Sequence, residues 1–227
     1  NQAFSNITGF SINDVFGRNP KILKSGRHSN EFYAGMWEAL STKGEWQGEV
    51  WNKRKNQQIY LESLIIKAIK NDLDQTVLYL ALLSDITYLR EFEKNMRKEL
   101  KLARQIQTNL LPIQLPQMPG LRFKTLYKPM EEVGGDFYDF VRLREQNLVG
   151  IFISDVSGHG VPAALITSMT KTLLDSAGSK KIAPGSLLKY MNDRLYGQTS
   201  DNFITAFYGI FDNINQQLTY SRSAHPL

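Results

Sequence analysis

Two short segments hold the residues whose types and spacing suit chemistry. In Gly134-Gly135-Asp136-Phe137-Tyr138-Asp139 an acid follows two glycines at the start of a strand-like run. In Ser154-Asp155-Val156-Ser157-Gly158-His159-Gly160 a second acid ends an apolar run and precedes a glycine-rich loop that opens a helix. Glycine lets the backbone turn tightly and approach a ligand closely. The stretches between read as strands 137–143 and 148–154 around a turn at 144–147. Such a hairpin brings Asp136 and Asp155 to the same end of a sheet. Adjacent carboxylates repel each other unless a cation lies between them, and hard oxygen donors without thiolates favour Mg²⁺ or Mn²⁺ over zinc. Either acid alone reads as a turn or cap residue. The pair with its glycines reads as a site.

Composition narrows the chemistry further. The 227 residues include no cysteine, which excludes a disulfide framework, a thiolate zinc site and any cysteine nucleophile. That composition is compatible with a reducing cytoplasm, the expected compartment. The net charge of +5 is spread over 21–24, 53–55, 97–104 and 180–181, and no finger, RNP or recognition-helix pattern accompanies it, so no nucleic-acid partner is expected. No apolar run approaches the ~20 residues of a membrane helix, and no membrane segment is expected.

The elements that must position the two acids fall into an α+β pattern. Residues 1–88 read as one α+β unit: a helical stretch at 4–8 before Gly9, then strands 46–53, 59–69 and 76–83. The polar turns Asn56-Gln57-Gln58 and Asn71-Asp72-Leu73-Asp74 join these into an antiparallel meander. From 87 to 111 there is neither Gly nor Pro, and apolar residues recur at Leu89, Phe92, Met96, Ala103, Ile106 and Leu110. That spacing fits a coiled-coil seam, weakened by Glu99, so 89–111 is a connecting signal helix expected to make a homodimer. The plainer alternative is one amphipathic helix packed on its own domain. Asp85 or Thr87 is the expected cap, and Pro112 and Pro116 stop the helix. A second α+β unit occupies 112–227, with strands at 123–127, 137–143 and 148–154, helices at 163–175 and 186–195, and a hairpin of 203–211 with 217–223.

The two glycine-acid blocks resemble the signatures of the SpoIIE/RsbU-type branch of the PPM phosphatases, the protein phosphatase 2C-like superfamily. So does the lead-in Glu99-Leu100-Lys101-Leu102-Ala103-Arg104-Gln105-Ile106-Gln107-Thr108-Asn109-Leu110-Leu111-Pro112. Three blocks in order make the resemblance specific from about Glu99 onward. It implies a β-sandwich flanked by helices, a site for two Mn²⁺ or Mg²⁺ ions, and direct attack of water on phosphoserine or phosphothreonine without a covalent enzyme intermediate. By matching positions, Asp136 and Asp155 would be the catalytic metal ligands and the backbone carbonyl of Val156 a third contact. The implied substrate is a phosphorylated regulatory protein, such as an anti-sigma-factor antagonist; a non-catalytic module that binds a partner is the alternative. Gly-Gly-Asp-Phe also opens the diguanylate cyclase signature, but that signature continues with acid-Glu-Phe and lacks the second block, so it is excluded.

His159 is expected to structure its loop. His225, in Ser223-Ala224-His225-Pro226-Leu227, resembles the family's AGHPP block with Ser and Leu as departures; it is expected to be structural and outside the site. Further metal-binding aspartates of the family lie downstream of that block, so the chain reads as a fragment that binds metal poorly.

The first unit resembles a PAS sensor domain. Its blocks are Ala3-Phe4-Ser5-Asn6-Ile7-Thr8-Gly9-Phe10, Gly44-Glu45-Trp46-Gln47-Gly48-Glu49-Val50-Trp51-Asn52-Lys53-Arg54-Lys55-Asn56 and Ser84-Asp85-Ile86-Thr87. The resemblance implies that its first two strands precede Asn1. It names no ligand: there is no cysteine for a flavin adduct, and the lone His28 is expected to be structural rather than a haem ligand.

Overall fold

A computed structural model describes residues 1–129 and 132–226. Two compact units divide between Asn95 and Met96, inside the connecting helix rather than at its ends.

The first unit opens with helix α1 (Gln2–Thr8), whose first turn is capped by the Asn1 side chain and which ends at Gly9 in the left-handed region, φ 75°. A single turn follows, α2 (Ile12–Val15), closed by a reciprocal Ser11–Asp14 capping box. Helix α3 (Asn30–Lys43) is absent from the sequence-based expectation. Its caps are nonetheless readable: the Ser29 hydroxyl accepts from the Phe32 N–H, and Gly44 closes it at φ 76°. Its apolar residues Phe32, Tyr33, Met36, Trp37 and Leu40 recur at helical spacing along one side, and Met36 and Leu40, four apart, are buried.

Strands β1 (Glu45–Lys53), β2 (Ile59–Lys70) and β3 (Thr76–Asp85) form the expected antiparallel meander, in the order β1-β2-β3. Gln57 and Asp74 take positive φ at its two turns. Leu23, Met36, Leu40, Val50, Tyr60 and Leu61 make the core, each large apolar side chain contributing about 1.5–3 kcal/mol on burial. One carboxylate lies among them. Glu62 is 1% exposed and accepts from Asn52 Nδ2 at 2.8 Å and the Tyr60 hydroxyl at 2.7 Å. Burial raises its pKa despite those two donors.

Helix α4 (Thr87–Thr108) starts where Asp85 Oδ1 accepts from the Thr87 N–H at 3.0 Å and its hydroxyl at 2.7 Å. Of the seam residues, Leu89, Phe92, Met96 and Ile106 are exposed, whereas Ala103 is half-buried and Leu110 packs against the core of the second unit; the one buried residue of the helix is Gln107.

The second unit carries β4 (Phe137–Arg142), β5 (Leu148–Val156), helix α5 (Gly160–Ser176), helix α6 (Pro184–Leu195), β6 (Ile204–Asp212) and β7 (Gln217–Ser223). The strands form one antiparallel sheet in chain order. Alternation sends Phe137, Val141, Phe152, Tyr208 and Ile210 to one face, where they pack with Leu174, Leu187 and Met191 of the two helices. The opposite face is apolar but open: Ile153 is 40% and Tyr220 50% exposed. Among the described residues the sandwich is thus represented by one sheet with helices on one face.

Two sequence expectations need correction here. Residues 123–127 are not a strand. Phe123 and Tyr127 instead set their rings against Phe140 and Tyr138, at 5.1 and 6.4 Å between centroids. The alternating pattern records one covered side-chain face, which needs no backbone pairing. Helix α5 begins at Gly160, not 163, because Pro162 sits in the first turn, where a missing N–H breaks no helical bond.

Candidate metal centre

The β4–β5 hairpin builds the site. Phe137 lies opposite Ser154, and both are buried toward the helices. The ladder continues past them, with the Val156 N–H donating to the Gly135 carbonyl at 3.3 Å. Asp136 and Asp155 fall between these two rungs, opposite each other and on the face away from the helices, as strand alternation requires. The register therefore brings together the two acids singled out from the sequence.

Their electrostatics are those of a frustrated pair. Burial first, and then the charge of Asp136, raise the pKa of Asp155, while His225 works in the other direction. The Tyr127 phenol is likewise pushed up by burial and next by Asp136, and its buried oxygen has no hydrogen-bond partner among the described residues. Asp136, Asp155, Tyr127 and His225 thus share one neighbourhood. His225 is the residue that sequence reading left out. Its Nδ1 lies 2.8 Å from Thr205 Oγ1, Thr205 stands opposite Asp155 on β6, and Arg222 Nη1 donates to the His225 carbonyl at 3.0 Å. The resemblance of residues 223–227 was its one signal, since nothing local links a histidine seventy residues downstream to Asp155. Leu227 of that block lies outside the described residues.

The loop that delivers Asp136 is held from several sides. A Cβ on Gly135 would come within 2.6 Å of the Val156 carbonyl oxygen and 3.0 Å of its Cβ, so glycine is required for close approach rather than for φ. The Gly135 carbonyl also accepts from Thr167 Oγ1 of α5 at 3.1 Å. Gln107 pairs with both backbone groups of Gly134. On the other side of the site Ser157 and Phe203 exchange two hydrogen bonds, N–H to carbonyl at 2.8 Å and N–H to Oγ at 2.9 Å. Val156 buries its side chain with Ala163 and Ile166, so its carbonyl belongs to a rigid strand end.

Not every acid of the first block serves this site. Asp139 points to the helix face, is 7% exposed, and pairs with Lys171 of α5 at 2.8 Å. His159 occupies the N-cap of α5. In the first unit, His28 Nε2 accepts from the Trp51 N–H at 2.8 Å while the ring stacks on Phe32 at 4.0 Å.

Two opposed carboxylates, one destabilised by the other, with a carbonyl and a buried unpartnered phenol beside them, fit a hard divalent ion. Mg²⁺ in particular binds through one or two carboxylates and completes its octahedron with water and phosphate oxygens. Among the described residues no group of three or more His, Asp or Glu gathers to hold a metal ion.

Both units match known protein families. Residues 1–88 match the PAS domain family, and residues 145–227 match the family described as Stage II sporulation protein E. The two matches follow one another along the chain, PAS first and SpoIIE second. Phosphoserine phosphatase RsbU of Bacillus subtilis is 35% identical over 139 residues, covering 60% of this chain and 41% of RsbU. Phosphoserine phosphatase RsbP of the same organism is 31% identical over 144 residues, covering 60% of this chain and 35% of RsbP. The chain thus spans less than half the length of both relatives. Among solved structures, the SiaA-PP2C domain of Pseudomonas aeruginosa superposes with a TM-score of 0.51 at 28% identity, covering 58% of this chain and 55% of that one. The fold of the SpoIIE-type domain is therefore PP2C-like, mixed α+β with an antiparallel sheet.

Proposed function

We propose that this chain is a metal-dependent protein phosphatase acting on phosphoserine or phosphothreonine under the control of its PAS domain. The observation that carries the reading is the placement of Asp136 opposite Asp155, with Asp155 raised in pKa by burial and by its neighbour. In this reading both carboxylates are catalytic metal ligands, and the Val156 carbonyl is a third contact. The names of RsbU and RsbP support phosphoserine as the bond cleaved.

Bound Mn²⁺ or Mg²⁺, two ions in the full site, would neutralise phosphoryl charge and lower the pKa of the attacking water. The protein's own share is orientation. The hairpin sets the two carboxylates at one sheet end, and the Ser157–Phe203 hydrogen bonds tie the start of the glycine-rich loop to the segment before β6. The open geometry leaves coordination positions for water and a phosphate oxygen.

The assignment takes 1–88 as the sensor, 89–111 as the connecting helix and 112–227 as the phosphatase domain. Exposure of Leu89, Phe92, Met96 and Ile106 supports a homodimer formed along that helix. The substrate would be a phosphorylated regulatory protein of the anti-sigma-factor-antagonist kind. Among the described residues no helix is long and apolar enough to cross a membrane, and a cytoplasmic location is part of the same proposal. The test is turnover of a phosphoserine protein with and without Mn²⁺, beside Asp136→Asn and Asp155→Asn. Metal-dependent release of phosphate, lost in both variants, is expected. A folded, metal-supplied protein without turnover would instead point to a partner-binding module.

A further inference from the structure

We infer that Gln107 is the positioning residue of this metal centre, its side-chain amide acting as a one-residue strand edge that fixes where Asp136 enters β4. The inference deepens the proposed function and rests on its metal site.

The starting observation is an inversion of the usual pattern. Among the 22 residues of α4 the buried one is polar. Gln107 is 7% exposed, whereas Ile106 beside it is 59% and Leu102 58% exposed. A buried polar side chain is the informative kind of exception, because its groups must be matched or cost stability. Both groups of Gln107 are matched by a single residue. Nε2 donates to the Gly134 carbonyl at 2.5 Å, and Oε1 accepts from the Gly134 N–H at 3.1 Å. That reciprocal exchange is what two residues of an antiparallel ladder make at a hydrogen-bonded position.

The consequence follows the chain. Gly134 is tied to α4, and the next carbonyl, of Gly135, is tied to Val156 on β5 and to Thr167 on α5. Asp136 is the residue after these, so its Cα is placed by anchors on three elements. Only the Gln107 anchor determines both backbone groups of a residue. Chemistry makes the amide specific: glutamate keeps the acceptor and loses the donor, and methionine keeps the length and loses both.

The experiment uses the whole chain as Gln107→Met and Gln107→Glu, with Gln105→Met as a control for placing an apolar residue on the exposed part of the helix. Hydrogen–deuterium exchange over 132–138, read without metal, reports the clamp. Calorimetric titration with MnCl₂ reports the site. Loss of about one net hydrogen bond corresponds to roughly tenfold. We expect at least about tenfold faster exchange in that segment of Gln107→Met, at least about tenfold weaker Mn²⁺ binding, an intermediate Gln107→Glu, and a thermal midpoint close to that of the Gln105→Met control. Unchanged exchange would show that the clamp does not hold the loop. Faster exchange with wild-type Mn²⁺ affinity would make the amide merely structural, and the inference would be wrong. If the unaltered protein in its full length took up no Mn²⁺, the metal reading would fall and the role of Gln107 with it. If the unaltered chain bound Mn²⁺ and Gln107→Met bound it equally well, the role of Gln107 alone would fall.

Discussion

Replacing Lys171 with methionine takes from the Asp139 carboxylate its ammonium partner while leaving most of the aliphatic packing of the lysine stem in place. The Nζ–Oδ2 contact is 2.8 Å, with side chains 22% and 10% exposed. Burial works against the Lys171 charge, yet its hydrogen bonds to Asp139 and Asp175 raise its pKa overall. An exposed pair contributes about 0.2–1 kcal/mol, and removing one partner of a fully buried pair costs about 3–5 kcal/mol. This pair lies between those limits. Asp139 retains the Phe140 N–H at 2.8 Å, so a cost of about 2 kcal/mol is expected for Lys171→Met. Asp139→Asn keeps an acceptor for that N–H and drops the charge, for about 1 kcal/mol. Combining Lys171→Met with Asp139→Asn removes both charges together and should cost less than the two single changes summed, by about 1–2 kcal/mol. Urea titration followed by two signals can separate the two units. All three tryptophans, Trp37, Trp46 and Trp51, belong to the first unit, so fluorescence follows that unit and far-UV circular dichroism follows both. The expected shift is in the dichroism transition. Strict additivity of the double variant would refute the claim that this second acid of the block is a structural pair, and would reopen it as a site residue.

Two further outcomes are expected. Because the folded-state pKa of Glu62 lies above its ordinary value, the folded chain holds this proton more tightly than the unfolded chain. The associated stability is present below pH 4.5 and is lost as pH rises through the folded value. Subtracting the melting curve of Glu62→Gln from that of the unaltered protein should isolate a contribution that declines with pH; a difference that grows with pH would contradict the burial argument. Separately, Leu89→Asp with Met96→Asp should convert a dimer into a monomer in sedimentation velocity while leaving circular dichroism unchanged, since both side chains are exposed, at 52% and 42%. A dimer that survives both changes would place its interface elsewhere.

Much of the site was legible before any coordinates. The hairpin, its register and the opposition of Asp136 to Asp155 follow from two apolar runs of similar length around a turn, because strand alternation and pairing are local rules. The meander of the first unit was legible for the same reason. Helix α3 was legible too, from Ser29 and Gly44 at its ends and the one-sided spacing of Phe32, Tyr33, Met36, Trp37 and Leu40. Residues 123–127 misled because alternation reports which side chains are covered, and ring contacts with Phe140 and Tyr138 cover them without any ladder.

What the amino-acid order alone determined was the candidate pair: two acids with their glycines, no thiolate beside them, and the elements that bring them to one sheet end. What only the tertiary structure decided was the division of labour around them. It assigned Asp139 to Lys171, brought His225 to the edge of the site through Thr205, and gave Gln107 to Gly134. Each of these contacts joins residues 20–32 apart in the chain. Such pairings depend on where helices come to rest on a sheet, which is a property of packed volumes rather than of any local pattern.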